Sequence, residues 1–375
     1  MIDLEHLHPL ELEWENIEQS YRLSPYNAPR NRETEYKKVL TAYETQRTYN
    51  PQFKYQELPE CPVACIRQFM TRLAPEKSPL EILYYEKALH QLLAIRCVQT
   101  HAPDVITGAS CLSDGLPNSQ LLAEAHKILS QHLTPDASPD KDIAAEQAIA
   151  WMQSALERSG IQEWRAVVFE PMNATMSVNR LDKQIRIRKG AKFSQDNLRR
   201  LLVHEIGVHV LRYENGAVQP IRLFRNSFTG SIDTEEGLAI YSEDRAGVLE
   251  NSTMRKYAGR VIAAHLALSQ SFFEVFQALV PWFGQEMAFE ITARAKRGFT
   301  DTAQPGAHTK DIVYLRGYLQ VKAHLKQHPE DYPLLFTGKV GLQHLPLVRE
   351  LLELGIVTLP TVFPKDIIAA TNEME

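Results

Sequence analysis

Apolar positions along the chain recur mostly at helical spacing, and only one stretch near the middle alternates. Residues 79–99 carry Ile82, Leu83, Ala88, Leu89, Leu92 and Leu93 on three- and four-residue steps, which predicts a long helix. Residues 33–47 are also helical in pattern. Another helix is predicted over 139–159, with Ser138 placed to cap it, Pro139 at its first position and Asp140 in its first turn. The period then shortens. Residues 163–170, 176–178 and 184–188 read as strands, the last two joined by Asn179-Arg180-Leu181-Asp182-Lys183, which has turn chemistry. Helical spacing returns at once: Ser194 suits an N-cap, Asp196 a first turn, and Leu198, Leu201, Leu202, Ile206 and Val210 form one apolar stripe. Thr234 is placed to cap a further helix.

From residue 255 onward the pattern predicts helices over 257–268, 269–279, 285–296, 316–327 and 346–354, the last opening at Pro346 and stopping at Gly355. Phe272, Phe273, Phe276 and Phe283 fall at helical spacing and are expected in the core. Tyr49-Asn50-Pro51 and Leu58-Pro59-Glu60 read as ordered connections, 298–309 as a loop bordering an active cleft, and 372–375 as a frayed acidic tail. Together these elements predict an α+β, mostly helical fold with a small β-sheet beside the Ser194 helix. Along the chain they divide into an N-terminal helical region 1–160, a core 161–325 and a C-terminal helical region 326–375 packed on that core.

The Ser194 helix contains Val203-His204-Glu205-Ile206-Gly207-Val208-His209. Two imidazoles and an adjacent carboxylate are the minimal kit for holding Zn²⁺ and activating water. The spacing, HExxxH, has a geometric consequence. On a regular α-helix, side chains five apart point about 140° apart, so His204 and His209 would not reach one ion. A π-bulge absorbs the extra residue and restores a shared face, with Gly207 the easiest place to widen the backbone. A third ligand is expected from Thr234-Glu235-Glu236-Gly237-Leu238-Ala239, and residue spacing alone does not choose between Glu235 and Glu236. Glu243, seven residues after Glu236, falls on nearly the same helical face and could orient a ligand histidine.

Composition narrows the class. The chain has 375 residues, a net charge of -5, 44% hydrophobic and 23% charged residues, ordinary for a globular protein. No basic stripe with interleaved aromatics points to nucleic acid, although Ile185-Arg186-Ile187-Arg188-Lys189 is locally basic. The amino terminus lacks a signal-peptide layout and no apolar run approaches a membrane span. Four cysteines in no paired framework predict reduced thiols and a cytoplasmic protein. The oligomeric state is not readable from the chain.

The HEIGVH run, the downstream EEGLA and Thr309-Lys310-Asp311-Ile312-Val313-Tyr314-Leu315-Arg316-Gly317 resemble the tyrosine carboxypeptidase family of metallopeptidases. Its animal members trim the C-terminal tyrosine of α-tubulin, and its bacterial members carry a QEGLA motif. The resemblance implies a zincin-like metallopeptidase with His204, His209 and Glu236 on Zn²⁺ and Glu205 as general base. Glu235 stands where the motif has Gln. The substrate implied is the C-terminus of a peptide or protein, with release of tyrosine or another aromatic residue. The HExxxH layout is similar to dipeptidyl peptidase III as well. An oxyanion needs a second electrophile besides zinc, for which Tyr314 and His308 are the candidates. His308 departs from the family's Phe at that position. The substrate carboxylate calls for a basic group: Arg245, Lys310 and Arg316 are the leading candidates, with Arg212, Arg222 and Arg225 also near the motifs. With no long basic extension, a bacterial-type peptide-processing role is expected here rather than tubulin processing. The alternatives are a zinc-dependent dipeptidyl- or aminopeptidase and a non-enzymatic, zinc-stabilised regulatory protein.

Overall fold

Helices carry most of the chain in the computed structural model, which describes residues 4–131, 142–170, 172, 174–360 and 362–363. The result is an α+β, mostly helical architecture. Two compact units emerge, each built from two stretches of chain: Met1–His132 with Met254–Leu315, and Leu133–Thr253 with Arg316–Glu375. The expected regions 1–160, 161–325 and 326–375 follow the chain, whereas these units interleave along it. No helix among the described residues is long and apolar enough to cross a membrane.

The first unit is helical. Its longest early helix, Pro79–Thr100, is capped by the Ser78 side chain, which accepts from Glu81 N–H, with Pro79 in the first turn. Leu80, Leu83, Tyr84, Ala88, Ile95 and Val98 are buried, but Ile82 and Leu89 are about 40% exposed. Those two lie seven residues apart and share a face that the core does not cover. The expected 33–47 helix is found as Arg32–Glu44. The expected helices 269–279 and 285–296 are found within Phe272–Ala295 as two helices joined by a kink at Gly284, whose φ of 71° is non-helical, the first opened by a Ser271–Glu274 capping box. Phe272, Phe273 and Phe276 are buried as expected. Phe283 is half-buried, its ring so close to Gly259 that a Cβ there would lie 2.4 Å away.

In the second unit, strands β1 (Ile143–Ala144), β2 (Arg165–Phe169), β3 (Met176–Asn179), β4 (Gln184–Arg188) and β5 (Lys192–Phe193) form two small sheets. β1 pairs with β5, and the larger sheet has the order β2-β4-β3, with β4 parallel to β2 and antiparallel to β3. Ile185 and Ile187 alternate into a core with Trp164, Leu198, Leu202, Ile206 and Val210, so the strand period and the helix period meet on one apolar surface. The helix expected from 139 is Ala145–Arg158. Ser138, Pro139 and Asp140 lie outside the described residues, as does the 372–375 tail. A second core joins Val208, Leu238, Val321, Leu325, Phe336 and Leu345. The last helix, Leu345–Glu353, has Pro346 in its first turn and is followed by Gly355 at φ 68°.

Two motif glycines set how closely helices approach in this unit. A Cβ on Gly237 would meet the Gly317 carbonyl at 2.3 Å, and one on Gly317 would meet the Asp233 carbonyl at 1.9 Å. The backbones of helices Ile232–Arg245 and Val313–Gln327 therefore touch where each lacks a side chain. Arg316 fastens the same crossing through Asp233, with Nε to Oδ1 at 2.6 Å and Nη2 to Oδ2 at 2.8 Å. Gly207 differs. Its Cβ would find ordinary contacts, the nearest being Leu202 O at 3.8 Å. We expect Gly237→Ala to destabilise the protein by about 1–3 kcal/mol or more, because the helices must separate. Gly207→Ala should change stability by less than about 1 kcal/mol. Chemical denaturation of both variants reads the difference, and equal losses would remove the crossing from this account.

Candidate metal centre

The helix that carries both histidines changes pitch at the motif. Ser194 caps it by accepting from Asn197 N–H, Gln195–Leu201 is α-helical, Leu202–Val210 is π-helical, and Leu211–Ala217 resumes the α form. The Leu211 N–H reaches back five residues to Ile206 O. Each π turn takes up one more residue than an α turn, so His204 and His209 come round to one face with ring centroids 4.9 Å apart. The widening extends over nine residues, more than a single-turn bulge. Because Gly207 has room for a Cβ, the π form does not depend on glycine at that position.

Glu236 approaches from helix Ile232–Arg245. Its N-cap is Ser231, so the helix begins before the expected cap, Thr234, whose hydroxyl instead accepts from Leu342 N–H at 2.9 Å. Glu236 Oε2 lies 3.6 Å from His204 Nε2 and 3.8 Å from His209 Nε2, and the three ligand atoms all fall within 4.8 Å of one another. Glu235 points elsewhere, its Oε1 2.7 Å from His209 Nδ1. Glu243 Oε1 lies 2.6 Å from His204 Nδ1. One carboxylate thus faces both Nε2 atoms, and each Nδ1 has a carboxylate of its own.

An outer set of cations holds those carboxylates. Arg200 Nη1 donates to Glu243 Oε1 at 3.0 Å. Glu235 receives the fully buried Arg212 guanidinium and Lys339 Nζ. Arg212 also donates through Nε to Leu335 O at 2.8 Å and Gly338 O at 2.9 Å, fixing the 335–340 segment against the histidine helix. Burial alone would raise the Glu235 carboxyl, but Lys339, Arg212 and His209 hold it well below the usual range. Burial would likewise lower His204, yet Glu236, Glu243 and the neighbouring Glu205 outweigh it and push its pKa up to about 10. The carboxylates facing the two imidazoles favour a positive charge at this point, which a divalent cation supplies as well as a proton. Two imidazole nitrogens and one carboxylate oxygen match the donor set of a catalytic zinc centre with an open position.

The other candidate residues fall in different places. Glu205 is 7% exposed and follows His204 on the π-helical segment. Arg245, nine residues after Glu236, is half a revolution round the same helix and lies over the Tyr332 ring. Arg316 is paired with Asp233, Arg212 with Glu235, and Arg222 and Arg225 flank or lie on the short helix Leu223–Asn226. His308, Lys310 and Tyr314 belong to the first unit, where Tyr314 stacks on Tyr257 at 4.9 Å and 4°. Arg200 and Lys339 gave no signal as site residues. Arg200 precedes His204 by four residues, a same-face spacing, but Lys339 lies 104 residues from Glu235 and no local pattern could join them.

A family model described as microtubule-associated tyrosine carboxypeptidase matches residues 42–374. Microtubule-associated tyrosine carboxypeptidase 1 of Mus musculus is 36% identical over 155 residues, 40% of this chain and 32% of its own length. The protein of the same description from Homo sapiens is 26% identical over 313 residues, 82% of this chain and 58% of its own. The putative tyrosine carboxypeptidase MATCAP2 of Homo sapiens is 33% identical over 161 residues, 40% of this chain and 29% of its own. The matched stretches thus span between under a third and somewhat over half of these relatives. A match over most of the chain, on a fold that brings the motif histidines and Glu236 to one point, places it in the microtubule-associated tyrosine carboxypeptidase family.

Proposed function

We propose that this protein is a zincin-like zinc metallocarboxypeptidase, hydrolysing the C-terminal peptide bond of a peptide or protein and releasing tyrosine or another aromatic residue. The observation that carries the reading is the convergence of His204 Nε2, His209 Nε2 and a Glu236 oxygen within 4.8 Å. Zinc held there would supply a Lewis acid that polarises the scissile carbonyl and acidifies water. The chain's own groups do the rest. Glu243 and Glu235 accept the Nδ1 protons, which turns both Nε2 lone pairs toward the same point and makes the rings better donors. Glu205, adjacent to a ligand but outside the ligand set, takes a proton from the attacking water and delivers it to the leaving amine. The direction of cutting and the aromatic preference are supported by the names of the relatives. The four cysteines are all free thiols, which supports the cytoplasm as its compartment.

Mass spectrometry of a mixed peptide set, incubated with the zinc-loaded full chain and with its Glu205→Gln variant, tests the reading. Single residues should be lost from C-termini, tyrosine foremost. The variant should keep its zinc and melting temperature while losing at least about 10²-fold in rate. Loss from N-termini would overturn the direction, and intact peptides throughout would overturn the activity.

The metal itself is open to a separate check. Held protonated by its carboxylates, His204 stabilises the metal-free fold fully below about pH 6.5, and that contribution is lost as the pH rises through about 10. A bound metal must replace this proton. Zinc titrated into the stripped full chain at neutral pH, in buffers of different ionisation enthalpy, should release about one proton from His204. Uptake with no proton release would remove His204 from the ligand set.

A further inference from the structure

The carboxylates behind the two imidazoles of the metal centre differ in how their charge is balanced. Behind His204, Arg200 donates to Glu243 Oε1 at 3.0 Å and also stands 3.5 Å from Glu250 Oε2, so one guanidinium serves two carboxylates. Behind His209, Arg212 and Lys339 both close on Glu235, so two cations serve one. They do not share it evenly. Arg212 takes Oε2, whereas Lys339 Nζ lies 2.5 Å from Oε1, the same oxygen that lies 2.7 Å from His209 Nδ1. The Lys339 side chain is 12% exposed and that of Glu235 6%, so water and salt screen this pair weakly.

The backbone holds Lys339 in that position. Its N–H donates to Phe224 O at 2.6 Å, and its carbonyl accepts from Phe228 N–H at 3.0 Å. Gly338 lies so close to the same strand of chain that a Cβ there would meet Phe224 O at 2.5 Å. Arg212 donates to the carbonyls on either side of Lys339, Gly338 O at 2.9 Å and Val340 O at 2.5 Å. The ammonium is therefore a built feature of the centre. Its charge acts in one direction. A carboxylate that accepts the Nδ1 proton makes Nε2 a better donor. A cation on the accepting oxygen draws that density back, and its own charge opposes a divalent ion on the far side of the ring.

We propose that Lys339 is a positioning residue that acts through Glu235: it neutralises the carboxylate behind His209, weakens the donation of that ring, and so keeps an ion held at the centre electrophilic. The proposal deepens the zinc peptidase reading and rests on it for the identity of the ion. His204, backed by the less compensated Glu243, is then the stronger donor of the two.

Zinc dissociation constants, measured by chelator competition at neutral pH on the full chain, test this, with melting of the metal-free forms recorded beside them. Lys339→Met should hold zinc about tenfold more tightly than the unsubstituted chain, while Lys339→Arg, which keeps the charge, should stay near it. Glu235→Gln should hold zinc at least about tenfold less tightly. If Lys339→Met leaves Glu235 too poorly compensated for the chain to fold, Glu235→Gln and Glu235→Gln/Lys339→Met carry the same comparison without that buried carboxylate. The double variant should bind zinc the more tightly of the two. A lysine that only props the 338–340 backbone predicts the reverse, weaker zinc binding wherever it is missing. That reverse order, or equal affinities, overturns the proposal. A chain that takes up no zinc at all fails the metal-centre reading and this proposal with it. Affinities in the expected order with no peptide cleaved fail the peptidase reading alone and leave the role of Lys339 standing.

Discussion

Two histidines five residues apart can face one cation only if the backbone between them is wound more loosely than an α-helix, and the structure satisfies this over nine residues rather than one turn. A π segment gives up close helical packing, so something outside it must hold it. Its apolar side supplies that hold: Leu202, Ile206 and Val210 are buried with the sheet residues Ile185 and Ile187, while Val208 packs with Leu238 and Ala239. The helix is therefore gripped on two sides by separate cores. The histidines occupy the side left over.

Charge then decides which arrangement of acids is tolerable. Four carboxylates, Glu205, Glu235, Glu236 and Glu243, surround two imidazoles in a region mostly removed from water. Buried anions of one sign repel and lose hydration, so each needs a compensating partner. The partners come in layers of alternating character: Glu236 at the centre, the imidazoles next, then Glu235 and Glu243, and outside them Arg212, Lys339 and Arg200. Removing an outer cation would act through its carboxylate on the tautomer of a histidine. Arg212 also ties the 335–340 backbone to the centre, so part of the fold and the orientation of His209 share one side chain.

This division explains what the sequence displays and what it hides. The two periods, the Ser194 cap and the turn at 179–183 are local, and they place the sheet and the histidine helix within a few residues. The HExxxH spacing even carries its own requirement for a π backbone. The choice between Glu235 and Glu236 is not local. Adjacent residues on a helix differ by about 100°, and which of them faces the histidines depends on how helix Ile232–Arg245 is rotated against its neighbour. That rotation is tied to the contact of Gly237 with Gly317, residues 80 positions apart. The boundary shifts have similar causes. Gly284 kinks Phe272–Ala295 into two helices, and helix Ile232–Arg245 starts ahead of Thr234, whose hydroxyl accepts from Leu342 N–H.

A centre of two imidazoles and a carboxylate is indifferent to which end of a peptide lies in it. Polarising a carbonyl and moving one proton are the same operations whether the leaving amine belongs to a last residue or to a long chain. Direction must come from a group that recognises a terminus, and the two termini differ in sign of charge. Arg200, Arg212 and Lys339 have donors committed to the carboxylates that orient the histidines. Arg316 is paired with Asp233. A basic group that reads a substrate must be one whose own fold partner leaves donors unused.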